Sequence, residues 1–214
     1  MGIHRRNEQG TRGTINWRAF DAAKDRLRIA ETKVTAMRAA NDISLLAGLW
    51  EEFLTVQQQV FLRLRKAFEQ GPARAWWSNV DIERRADEML QYVMQARHAN
   101  EHNIDNVTKA EPSHLLIRPK EGNQLTFKHF IAYNTGQVSM VSMDREAAAK
   151  TVISFVPANI VLAQVHDRNN YYDPPTSHLG QPIEATPIRV AELTISYLAN
   201  KMTEAQANFG PSVT

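Results

Sequence analysis

Glu111-Pro112-Ser113-His114-Leu115-Leu116-Ile117 is where a helical repeat of apolar residues gives way to a strand-like one, which makes the chain mixed rather than all-helical. Proline lacks the amide hydrogen a helix needs and pushes its predecessor toward extended backbone, so Pro112 closes whatever helix precedes it. Beyond it, His114 to Ile117, Leu125 to Tyr133, Gln137 to Ser142, Val152 to Phe155 and Ile160 to His166 are runs rich in β-branched and aromatic residues. Lys120-Glu121-Gly122-Asn123 and Asn134-Thr135-Gly136 separate them with good turn chemistry. A small antiparallel sheet is predicted, with a short helix over Asp144 to Lys150 where Asp144-Arg145-Glu146 leads three alanines.

Upstream the apolar period is that of a helix. Phe20, Ala23, Leu27, Ala30, Val34 and Met37 alternate steps of three and four, a stripe suited to packing on another helix. A second helix, capped by Asn41 or Asp42, carries Ile43, Leu46, Trp50, Phe53, Leu54, Val60, Phe61, Leu64 and Phe68 until Gly71-Pro72 stops it. These two form an antiparallel hairpin. A third is expected from Ser78, with Asp81 completing a capping box, through Ile82, Met89, Leu90 and Val93 towards Ile104. Trp50, Trp76 and Trp77 read as core anchors. After a loop rich in turn formers, Arg168 to Gly180, Thr186-Pro187 opens a final helix reaching about Met202. The fold class is therefore α+β: an N-terminal antiparallel helical bundle, a small antiparallel sheet and a C-terminal helix. Residues 1–14 are expected to be a mobile arm, 15–110 the bundle, and 111–214 a β-rich region with the terminal helix.

Composition narrows the chemistry. With 214 residues, 43% hydrophobic and 22% charged, the chain can bury a sizeable core. The absence of cysteine excludes disulfides, thiolate nucleophiles and cysteine-held metals. A net charge of +2 does not announce a nucleic-acid partner, although residues 1–40 hold nine Lys or Arg against four Asp or Glu, an excess that suits either a phosphate backbone or a solvated helix face. No apolar run approaches the ~18 residues that span a bilayer, so no membrane partner and a cytoplasmic location are expected. There is neither a Gly-rich phosphate loop nor a G-x-S-x-G elbow, and no cofactor is predicted.

The third helix ends in Ala96-Arg97-His98-Ala99-Asn100-Glu101-His102. An arginine can fork two donors onto a phosphate and a histidine titrates near neutral pH, so Arg97 and His102 suit phosphodiester cleavage without metal. On a helical wheel Arg97 and Asn100 fall beside Val93 on the apolar face, while His98 and His102 join Arg84, Gln91 and Gln95 on the polar one. A straight helix splits the pair. Three other readings stand beside the catalytic one. Arg97 can be a buried hydrogen-bonded arginine paired with Glu101 or with an acid of the first helix, His102 then being an ordinary exposed helix-end residue. His98-x-x-Glu101-His102 can be an inverted zinc-peptidase motif, lacking a third ligand. His166-Asp167, or Asp173 with Ser177 and His178, can gather a hydrolytic triad on loops. His114 and His129 lie in strand patterns and read as packed or surface residues.

The helical half, with Arg97, a polar residue at 98 and His102, resembles the HEPN superfamily of helical bundles, known as metal-independent ribonucleases in toxin and antiviral systems. The resemblance covers residues 15 to about 106. It implies that His102 serves as general acid or base at a ribose 2′-hydroxyl and that Arg97 stabilises the charged phosphorane. His98 would position them, at a place where asparagine is commoner, with Asn100 and Glu101 as binding neighbours. It further implies single-stranded RNA as substrate, a homodimer whose two motifs meet in one site, and an antitoxin or other partner protein. A non-catalytic HEPN-like dimerisation protein is the alternative.

Overall fold

The computed structural model describes residues 15–103, 106–122, 129–132, 138–142, 146 and 149–210, the side chains of 102, 103, 129–132 and 138–142 lying outside that description. The expected arm over 1–14 and most of the expected helix over 144–150 also fall outside it. The class is the one read from the sequence: helices first, small antiparallel ladders next, and a last helix. Two compact units result, one drawn from residues up to Lys109 and from Ile160 onward, the other Ala110–Asn159. The β-rich region therefore does not run on to 214 as expected, because the chain returns to the helical unit at Ile160 and its last helix packs there.

In the helical unit α1 (Trp17–Ala39) and α2 (Ile43–Phe68) make the antiparallel hairpin, each begun by an acceptor side chain. Asn16 Oδ1 accepts from the Ala19 amide at 3.0 Å, and Asp42 Oδ1 from the Leu45 amide at 2.8 Å, satisfying donors that a helix start leaves orphaned. The Asn16 amide reaches the Ala67 carbonyl at 3.2 Å, which ties the start of α1 to the end of α2. All six stripe residues of α1 are buried, and so is every expected apolar residue of α2 except the partly covered Ile43. Four α1 cations are engaged by acids: Lys24 with Asp21 and Arg28 with Asp25 within the helix, Lys33 with Glu52 of α2, and Arg38 with Glu192 of the last helix. They read as a solvated face.

The expected third helix is two. A short 3₁₀ turn, Gly71–Ala73, leads into α3 (Arg74–Ala86), and α4 (Glu88–His98) follows. Ser78 caps nothing, since α3 has already started, and Ile82 is exposed rather than on the apolar face. The break is at Asp87, extended at φ −80° and ψ 125°, whose Oδ1 accepts from the Leu90 amide at 2.8 Å. Past His98 the helix widens into a π-turn, Ala99–Asn103. The terminal helix, α5 (Pro187–Phe209), is capped by Thr186 as expected but runs beyond Met202, burying Ala205 and setting Phe209 against Trp76 and Phe68. Trp50 and Trp77 are buried, and Trp76 donates to Glu204 of α5 at 2.6 Å.

Among its described residues unit two holds two antiparallel strand pairs. β2 (His114–Pro119) pairs antiparallel with β5 (Thr151–Val156), and β3 (His129–Ala132) with β4 (Val138–Ser142). Partner numbers share one sum throughout the first ladder, and the second departs from it by a single residue before a bulge at Ile131/Ala132 restores it. One face sets Leu115 against Phe155 and Ile117 against Ile153; Leu115 is 63% and Phe155 67% exposed. β1 (Thr108–Glu111) pairs with β6 (Asn159–Leu162). Two tight hairpins follow, β7 (Val165–Asp167) with β8 (Asn170–Tyr172), and β9 (Ser177–His178) with β10 (Gln181–Pro182). Their turn residues, Arg168-Asn169 and Leu179-Gly180, all have positive φ, as the right-handed twist of a two-residue hairpin demands. Leu179 at φ 48° is a costly place for a branched side chain.

Candidate functional site

α4 is held at both ends by segments distant in sequence. At its start Asp87 and Glu88 grip the loop Thr176–Leu179. Asp87 Oδ1 lies 3.0 Å from Nδ1 of the buried His178, and its Oδ2 accepts from the Leu179 amide at 2.6 Å, fixing the strained turn. Glu88 accepts from the amides of Thr176 and Ser177, both at 3.0 Å, and from both hydroxyls, Ser177 Oγ at 2.7 Å. Burial works to raise the Glu88 carboxyl, but these bonds outweigh it and hold the group below the usual carboxylate range. Midway along α4, the Tyr92 hydroxyl donates to the Ala163 carbonyl at 2.8 Å, and burial pushes its ionisation well up. The helix is consequently pinned in rotation.

At its end lie the motif residues. Arg97 Nη2 forms an ion pair with Glu101 Oε2, the side chains 23% and 31% exposed. Arg97 Nε is buried without a hydrogen-bond partner. His98 Nδ1 stands 3.7 Å from Oδ2 of Asp167 on β7, and Arg168 Nε is 3.9 Å from the same carboxylate oxygen. Burial, then the Arg97 charge, draws His98 below the usual histidine range, with Asp167 opposing. At neutral pH the ring is neutral. The polar face of the wheel is in fact covered: Gln95 is buried, His98, beside Asp167 of β7, is largely so, and Arg84 on α3 is buried over the Phe61 ring of α2.

The π-turn bears on the separation of Arg97 from His102. Bonds from i to i+5 advance less angle per residue than an α-helix, so the backbone at 102 is rotated toward the side of Arg97 relative to a continued α-helix. The His102 side chain lies outside the described residues. Asn100 is half-buried on the same turn.

The rival constellations separate. His98 faces Asp167 while Glu101 engages Arg97, and among the described residues no group of three or more His, Asp or Glu is arranged to hold a metal. Asp173 accepts from Gln164 at 2.6 Å, Ser177 binds Glu88 and His178 binds Asp87, so these three make no triad. His166 lies against Tyr171, ring centroids 4.9 Å apart. His114 is exposed, its Nδ1 3.2 Å from the Pro112 carbonyl, and the His129 side chain is outside the described residues. Asp167 was not expected beside the motif: no local spacing links it to His98. Comparison of the chain with protein-family models, with curated proteins and with solved structures gives no match.

Proposed function

We propose that the end of α4 is the centre of a HEPN-like, metal-independent endoribonuclease acting on single-stranded RNA in the cytoplasm, as a homodimer within a toxin or phage-defence system. The observation that carries this is the π-turn inside the motif. Such turns are rare, relinquish the better hydrogen-bond geometry of the α-helix and gather at functional sites. Here the turn, Ala99–Asn103, overlaps Arg97-His98-Ala99-Asn100-Glu101-His102 and works against the angular split that a straight helix imposes. In the reaction the 2′-oxygen attacks phosphorus and the bond to the 5′-oxygen breaks. His102, as the HEPN resemblance implies, takes the 2′ proton or supplies one to the leaving oxygen, while Arg97 balances the dianionic phosphorane. The products are a 2′,3′-cyclic phosphate and a 5′-hydroxyl.

A second reading, a non-catalytic HEPN-like dimerisation protein with an antitoxin or other partner, is favoured by the Arg97–Glu101 ion pair, which already occupies the arginine. Cleavage of a mixed fluorescent RNA in EDTA decides between them. Cyclic-phosphate ends from the wild type, lost in Arg97→Ala and His102→Ala, support the nuclease. Absence of cleavage by the purified dimer refutes it and leaves the second reading.

A further inference from the structure

We infer that Arg97 is an anion-binding site whose resting occupant is the carboxylate of Glu101, and that a phosphodiester of single-stranded nucleic acid binds by displacing it. The inference rests on the nuclease reading for the identity of the ligand, though the anion site itself does not. The physics of the pair points away from a helix-stabilising role. Glu101 sits at the C-terminal end of its helix, where the macrodipole is negative and an acid is disfavoured. The order is also the weaker one, with the cation four residues before the acid. A glutamate that gains little from its helix instead neutralises a guanidinium that is three-quarters buried.

That guanidinium is only part-used. Nη2 meets Glu101, while Nε is buried and unbonded. Glu101 engages the fork on one side only, whereas an anion that aligned two oxygens with Nε and Nη2 would use both. The local charge is balanced: Arg97 and Arg168 against Glu101 and Asp167, with His98 neutral. Displacing Glu101 by a phosphodiester monoanion conserves that balance and returns the glutamate to water. Asp167 and Arg168 answer each other and leave Arg97 as the cation released.

The test uses the full-length protein and a fluorescent 2′-O-methyl oligoribonucleotide, which has no 2′-hydroxyl to react, with anisotropy read in EDTA at about 0.1 M salt. Glu101→Gln should bind at least ~10-fold more tightly than wild type, and Glu101→Ala, which frees the same guanidinium without a carboxamide, should do likewise. Arg97→Met combined with Glu101→Gln should fall back to wild-type affinity or below. The proposal is overturned if neither Glu101 variant, folded by circular dichroism, binds more tightly, or if the gain survives in the double variant, since added net charge alone then explains it. Tighter binding by Glu101→Gln without cleavage of ordinary RNA by any form keeps the anion site and sinks the nuclease reading. Cleavage by wild type with no gain in Glu101→Gln does the reverse.

Discussion

Replacing Asp87 by alanine should destabilise the protein by about 3–4 kcal/mol, far more than the loss of a helix cap. The cap to the Leu90 amide accounts for ~1 kcal/mol. The same carboxylate, nearly inaccessible to water, also receives the buried His178 ring and the Leu179 amide, and hydrogen bonds to an ionised group contribute ~1.5–3 kcal/mol. Alanine leaves the buried His178 ring unanswered, takes the acceptor from the Leu179 amide, and releases a turn in which Leu179 is held at positive φ. For a chain of this length each kcal/mol moves the midpoint by ~2–4 °C, so thermal unfolding followed by circular dichroism should show a drop of about 10 °C. Asp87→Asn, which can still cap, should fall between. A double-mutant cycle with His178→Gln should show coupling above ~1 kcal/mol, because the two side chains share one interaction. A loss of ~1 kcal/mol or less, or strict additivity with His178→Gln, would mean that Asp87 is a cap and nothing more, and that α4 is not anchored from the Thr176–Leu179 loop.

Arg84 lies buried over the Phe61 ring, 3.9 Å from its centroid, with Nη2 donating to Gln58 at 2.6 Å, and burial pulls its guanidinium down to about 10. Arg84→Met, which keeps the packing and removes the desolvated charge, should be neutral within ~1 kcal/mol or stabilising, whereas Arg84→Ala should lose ~2–3 kcal/mol in urea titrations; equal losses would contradict this. Since His98 is held below its ordinary value, the unfolded chain takes up this proton first as pH falls. The His98 contribution is therefore complete above about pH 6.5 and declines as pH drops through the lower folded value, so His98→Gln should flatten the stability profile between pH 7.5 and 5. An unchanged slope in that variant would refute the assignment.

What the sequence discloses follows from the range of the forces involved. α1 and α2 are legible because burial, period and cap all act within a few residues: Asp42 and the Phe20-to-Met37 stripe carry their own signal. The break at Asp87 is not, since the apolar repeat of α3 continues into α4 almost in phase and only the partner at His178 shows why the chain bends there. Strands were visible as apolar runs bounded by Gly122 and Asn134-Thr135-Gly136, but which of them pair depends on register between residues as distant as His114 and Val156. At the site, Arg97 with Glu101 was readable as an i,i+4 pair. His98 with Asp167 was not, because a hairpin elsewhere in the chain supplies the acid.

The discontinuity of the helical unit bears on how the chain is made. Helices α1 to α4 are complete by about residue 100, yet the surface they present to α5 stays bare until Pro187–Phe209 has been synthesised. At ~5–20 residues per second that interval is on the order of 5–20 s. Throughout it the contacts of Glu83 with Lys201, Trp76 with Glu204 and Arg38 with Glu192 are all unmade, and so is the apolar seam beneath them. A nascent chain in this state is a ready client for a chaperone, and a product truncated within Ala110–Asn159 would be an open bundle rather than a smaller folded one.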